Sequence, residues 1–226
     1  MLASTRLRHL GFFALALAAT AVASAKTSLE ETRATAEKGD VVAQNELGCI
    51  YETGDGVAVD FDEAAKWYRR AADQGHAMAQ GNLGYLYLVG KGVPKDKAAA
   101  IQWWRKSADG GCAGSMFNLA LSYQNGEGVE KDLAQSAKWY RAAALLGEAS
   151  AMANLGLMYE KGEGVEKDDV QAYAYYKVAA FEYRNTDAYK RGARLAEKLS
   201  VLERARGDLA VRALKAEIAE AKKKAK

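Results

Sequence analysis

Few side chains in this sequence could carry chemistry, and their spacing counts against each. Only two histidines occur, and past the N-terminal segment there is one, His76, with Asp73 three residues before it. A lone imidazole without a neighbouring nucleophile or second base is poor material for acid–base or covalent catalysis, and it reads as a solvated turn residue. A zinc site needs several Cys, His or carboxylate ligands at convergent spacings, and the two cysteines, Cys49 and Cys112, stand 63 residues apart. A Gly-x-Gly-Val stretch suggests a phosphate loop, yet it follows a helical pattern instead of a strand, lacks a third glycine and recurs four times. The Trp103–Trp104 pair sits at helical spacing among alanines and reads as core, not as a stacking platform. No metal, no cofactor and no catalytic residue follow from these residues.

The elements that hold them are periodic. Leu47, Leu83, Leu119 and Leu155 step by 36, as do Tyr51, Tyr87, Tyr123 and Tyr159. Gly54, Gly90, Gly126 and Gly162 keep the same step, and so do Asp60, Asp96, Asp132 and Asp168. A fixed period of this length marks a stacked-repeat architecture. Within a unit, Ala43, Leu47, Gly48 and Tyr51 share one helical face. Gly54 suits a left-handed helix end, and Asp60 suits the cap of a second helix. Glu63, Gln135 and Gln171, each three residues after such an aspartate, predict a reciprocal capping box that Ala99 cannot make after Asp96.

In the second helix, Ala64/Tyr68/Ala71 keeps a small–aromatic–small pattern that Ala100/Trp104/Ser107 and Ser136/Tyr140/Ala143 repeat. Gly75, Gly111 and Gly147 are expected to close it. One such hairpin cannot bury both its faces, so stacking on neighbours must supply the core. The sequence therefore predicts an all-α fold, an α-solenoid of stacked 36-residue helical hairpins.

The pattern Ala-x-x-x-Leu-Gly-x-x-Tyr-x-x-Gly-x-Gly-Val-x-x-Asp, followed by Ala-x-x-Trp-Tyr-Arg-x-Ala-Ala-x-x-Gly, resembles the Sel-1-like repeat (SLR), a relative of the tetratricopeptide repeat. It covers about residues 41–183, with Ala120, Tyr175 and Tyr183 departing from it. The resemblance implies a right-handed superhelix that binds proteins or peptides. One branch of the family pairs cysteines within each repeat, which this chain does not. Neighbour-only stacking separates Cys49 from Cys112 by well over the roughly 7 Å a disulfide tolerates, so two free thiols are expected.

The expected organisation is a signal peptide over 1–25, a capping helix over 26–40, four repeats over 41–184, and C-terminal capping helices with a basic tail over 185–226. Arg6, Arg8 and His9, the apolar run from Leu10 to Val22, and small residues at Ala23 and Ala25 before Lys26 carry the first of these. No later segment is apolar enough to span a membrane, so export is expected, to the periplasm or the cell exterior. The chain is nearly neutral, with a formal net charge of +3. Residues 26–185 are nonetheless acidic, 18 Lys and Arg against 23 Asp and Glu, while 186–226 hold 12 against 6. The lysines from 222 to 226 suggest weak association with an anionic envelope surface, and no nucleic acid.

By resemblance to tetratricopeptide repeats, the first helix of each hairpin lines the concave side. Its outward positions include Tyr85, Leu88, Phe117, Leu121, Gln124 and Leu157, the candidate binding residues. No Lys or Arg occurs among them, so an apolar groove is expected, taking an aliphatic or aromatic peptide or the chain's own tail helix. The function expected is a non-catalytic protein–protein interaction module, a scaffold or adaptor, of the bacterial envelope. The competing expectation is an envelope hydrolase or penicillin-recognising SLR protein. Against it, no serine is followed three residues on by lysine.

Overall fold

The computed structural model describes residues 29–224; the signal-peptide expectation (1–25), the first residues of the expected capping helix and the last two residues lie outside that range. Among the described residues there are eleven helices and no strand. A short helix, α1, spans 29–37. Four hairpins follow: α2 (Val41–Thr53) with α3 (Phe61–Asp73), α4 (Ala77–Val89) with α5 (Lys97–Asp109), α6 (Ala113–Asn125) with α7 (Leu133–Leu145), and α8 (Ala149–Lys161) with α9 (Asp169–Tyr183). Then come α10 (Thr186–Lys198) and α11 (Val201–Lys224). From α3 to α9 each helix packs on the one before and the one after, as an α-solenoid must.

The turns explain the period. Gly54, Gly90, Gly126 and Gly162 take left-handed conformations at the ends of the first helices, and each N–H returns to the carbonyl four residues back. Asp60, Asp96, Asp132 and Asp168 cap the second helices through their carboxylates. The expected reciprocal capping box is absent. Each capping aspartate already donates its own N–H to the carbonyl of Tyr51, Tyr87, Tyr123 or Tyr159, at 2.9–3.0 Å. Glu63 is thereby released to pair with Lys66 at 2.6 Å, and Ala99 loses nothing. A true capping box does form at Ser200, whose N–H donates to Glu203 Oε2 at 2.8 Å while Glu203 N–H donates to Ser200 Oγ.

The second helices cap at Gln74, Gly110 and Leu146, and the positive-φ Gly75, Gly111 and Gly147 follow one residue later. Where the fourth unit has Tyr183 instead, α9 runs to 15 residues against 13 in α3, α5 and α7, and Arg184 takes the left-handed cap at φ 56°. This lengthening puts α10 one residue out of the 36-step.

The core is the stack of Leu47, Leu83, Leu119 and Leu155 against Tyr68, Trp104, Tyr140 and Tyr176, all buried. Gly48, Gly84 and Gly156 let the rings lie directly on the first helices; a Cβ at Gly48 would sit 2.5 Å from Tyr68 Cδ1. The tryptophan pair splits. Trp104 is 2% exposed, whereas Trp103 is only half-buried and lies between the Arg69 guanidinium and the Lys106 ammonium.

The tail helix does not enter the first-helix side. α11 folds back onto α9 and α7, second helices of the last two repeats, which corrects the expectation of a tail in the groove. Gly207, Val211, Leu214 and Ile218 step by four, three and four along one face, with Leu214 and Ile218 buried, while Leu202 and Leu209 point to solvent.

Candidate partner-binding surfaces

On the first-helix side, a polar ladder ties three of the four hairpins together. Tyr68 donates its hydroxyl to Glu52 Oε2 at 2.6 Å, Tyr140 to Gln124 Oε1 at 2.7 Å, and Tyr176 to Glu160 Oε2 at 2.8 Å. Asn154 of the following repeat donates to the Tyr140 hydroxyl at 3.0 Å, linking units. Burial pushes Tyr140 up to about 12 and raises Tyr68 and Tyr176 strongly, so all three stay neutral donors at physiological pH.

The candidate binding residues divide around this ladder. Gln124 is engaged by it as the acceptor of Tyr140. Phe117 is half-buried, its ring 5.7 Å from that of Tyr140, so these two candidates meet on one side chain. Leu88 and Leu121 are half-buried against the second- and third-hairpin cores. Tyr85 is open, at 45% exposure. Leu157, on α8, borders a cavity of 590 Å³ whose other walls are polar, with Glu160, Lys190, Arg191 and Arg194 among them.

That last feature was missed in the sequence. Arg194 of α10 reaches Glu160 at 2.8 Å, and with Lys190 and Arg191 of the same helix beside Lys161 of α8 it makes the C-terminal end of the first-helix side basic. The one-residue slip of α10 hides its alignment with the first helices of the repeats. A second ladder, also unforeseen, joins successive units: Arg33 donates to Tyr51 at 2.5 Å, Arg69 to Tyr87, and Arg105 to Tyr123 at 2.7 Å. Both members step by 36. The next arginine, Arg141, instead meets Glu217 of α11 at 3.1 Å.

The residues considered for chemistry are structural. His76 caps α4, its Nδ1 accepting from Ala79 N–H at 3.2 Å, and Cys112 stands at the equivalent cap of α6. Both cysteines are free. Among the described residues no cluster of three or more His, Cys, Asp or Glu could hold a metal ion, and no helix is long and apolar enough to cross a membrane.

Fold and surfaces together define an all-α solenoid of helical-hairpin repeats, a class built to present extended side-chain surfaces. The chain matches the Sel1 repeat family at residues 41–76, 77–112, 113–148 and 149–180, and it belongs to that family. Sel1 repeat proteins generally mediate protein–protein interactions. Among solved structures, the Sel1 repeat protein from Oxalobacter formigenes is similar at 35% identity and a TM-score of 0.72, over 84% of this chain and 80% of that one. A protective antigen of uropathogenic Escherichia coli strains, c5321, which displays an SLR fold, is similar at 30% identity and a TM-score of 0.52, over 87% of this chain but 50% of its own length. Among curated proteins no sequence matches this chain.

Proposed function

We propose that this protein is a non-catalytic scaffold or adaptor of the bacterial cell envelope that takes a protein or peptide on its first-helix, concave face. The observation that carries the reading is Tyr85, an aromatic side chain left open on a face whose buried polar groups are already satisfied. Phe117, Leu121 and Leu157 continue the apolar surface on α6 and α8. Export is supported by the basic, apolar and small-residue run of residues 1–25, and by likeness to a protective antigen of a pathogen.

The test is affinity capture with the protein from an envelope extract, followed by titration of the captured chain. Tyr85→Ala together with Phe117→Ala should weaken that partner about tenfold or more, because aromatic anchors dominate such surfaces. Tyr85→Ala should cost about 1 kcal/mol of stability or less. Normal binding by the double variant would place the site elsewhere. Exported material should begin at Lys26, and covalent labelling by a β-lactam would favour the penicillin-recognising alternative.

A further inference from the structure

α11 shows on this chain what one of its own inter-repeat clefts accepts. The cleft between the third and fourth repeats is lined by Arg141, Tyr159, Lys167, Gln171 and Tyr175, and α11 forms its far wall with Ala210, Ala213, Leu214 and Glu217. Those four wall residues step by three, one and three, a single helical face. The seat is secured at several points: Glu217 on Arg141 at 3.1 Å, Asp208 on Lys177 at 2.7 Å, and Leu214 and Ile218 buried.

Thirty-six residues earlier the same cleft is built again and stands open. Arg105, Tyr123, Lys131 and Gln135 repeat the residue types, with Trp139 in place of Tyr175. Its volume is 1080 Å³, against 460 Å³ where α11 closes the later one. Trp139 is half-buried at its floor, and Arg105 is exposed at its rim. Among the described residues Arg105 donates to the Tyr123 hydroxyl and has no carboxylate partner, whereas Arg141 has Glu217. Between the first and second repeats Arg69, Tyr87, Lys95 and Trp103 keep four of these columns, but Ala99 takes the place of the glutamine and the Trp103 ring already carries Arg69 and Lys106.

We propose that the open cleft between the second and third repeats, on the second-helix side, docks an α-helix of a partner protein that mimics α11. That helix carries a small-and-aliphatic stripe at three- and four-residue steps, with a leucine over Trp139 and a carboxylate three residues on that pairs with Arg105. The site is continuous with the intramolecular α11 interface and independent of the first-helix face, so the two readings can fail separately.

The experiment uses a labelled synthetic peptide of α11, residues 201–224, titrated with the intact protein by fluorescence anisotropy. Saturable binding is expected. Arg105→Glu should weaken it about tenfold or more, and the peptide bearing Glu217→Lys should regain binding to that variant, which also shows the variant is folded. Tyr85→Ala should leave the titration unchanged. Absence of binding up to about 1 mM, a range that covers weak docking, would overturn the proposal. So would binding indifferent to Arg105→Glu, or binding that responds to Arg141→Glu instead, because the peptide would then be exchanging with α11 at its own seat.

Discussion

Leu88 and Trp104 occupy the two positions where every other repeat joins an acceptor side chain to a tyrosine hydroxyl. Lacking that hydroxyl, Trp104 turns its indole N–H to the carbonyl of Gly81 at 3.1 Å, and Leu88 packs against the core beside it. The two differences belong together, because a buried polar group without a partner costs about 1–3 kcal/mol.

This coupling is measurable. Trp104→Tyr removes volume and strands a hydroxyl beside Leu88, and it should cost about 2–4 kcal/mol. Adding Leu88→Glu restores the Tyr68–Glu52 arrangement in the second repeat and should return about 1 kcal/mol of that. A double-mutant cycle from denaturant melts reads the difference. A coupling indistinguishable from zero would mean the ladder is incidental to stability.

The second glycine of each turn gives a matched pair of probes. Gly56 and Gly128 share almost the same φ, 73° and 74°. A Cβ on Gly56, which has no preceding repeat, meets nothing within 4 Å, whereas one on Gly128 lies 2.6 Å from the Lys97 carbonyl oxygen. Gly56→Ala should therefore cost only the left-handed strain, about 1–2 kcal/mol. Gly128→Ala should cost at least about 2 kcal/mol more and broaden the melt, since the second and third repeats must part to admit the methyl. Equal losses at the two sites would show that this turn does not fix repeat spacing.

Much of this was legible because the information is columnar. Leu47 and Gly54 announce themselves by recurring, and the hairpin, its turn and its buried ring follow from helical spacing. What recurrence could not show lies where the columns stop or slip. Tyr183 stands in the glycine column, Arg184 takes over the left-handed turn, α9 lengthens, and Arg194 comes to bear on Glu160 from outside the period. The destination of α11 was likewise hidden: its stripe reads clearly only from Gly207, a residue that a search for apolar side chains passes over. Spacing puts Trp104 in the column of Tyr68 and Tyr140, yet how far Trp103 beside it is covered depends on the neighbouring helices, which the spacing does not describe.

That distinction sets the next expectation. Trp104→Ala empties a fully enclosed site and should cost about 3–5 kcal/mol. Trp103→Ala removes a half-buried ring and its contacts with Arg69 and Lys106, and should cost about 1–2 kcal/mol. Thermal or urea melts of the single variants decide the order. A greater loss at Trp103 would mean that α5 is rotated so that Trp103, not Trp104, faces the core.

Alkali should unfold the protein through its buried phenols. Burial pushes Tyr140 and Tyr175 up to about 12, and it raises Tyr68 and Tyr176 strongly as well. In the unfolded chain a tyrosine releases its proton near pH 10. Between about pH 10 and 12 the folded state thus holds protons that the unfolded state has lost, so stability falls as pH rises through that window and is unaffected below it. Phenolate absorbance from these four rings should appear only together with loss of the helical circular-dichroism signal. Tyr140→Phe, though less stable at neutral pH for want of its bonds to Gln124 and Asn154, should lose less stability on going from neutral pH to about pH 12 than the parent does. Complete ionisation with the helices intact would show that the rings are reachable by solvent in the folded state.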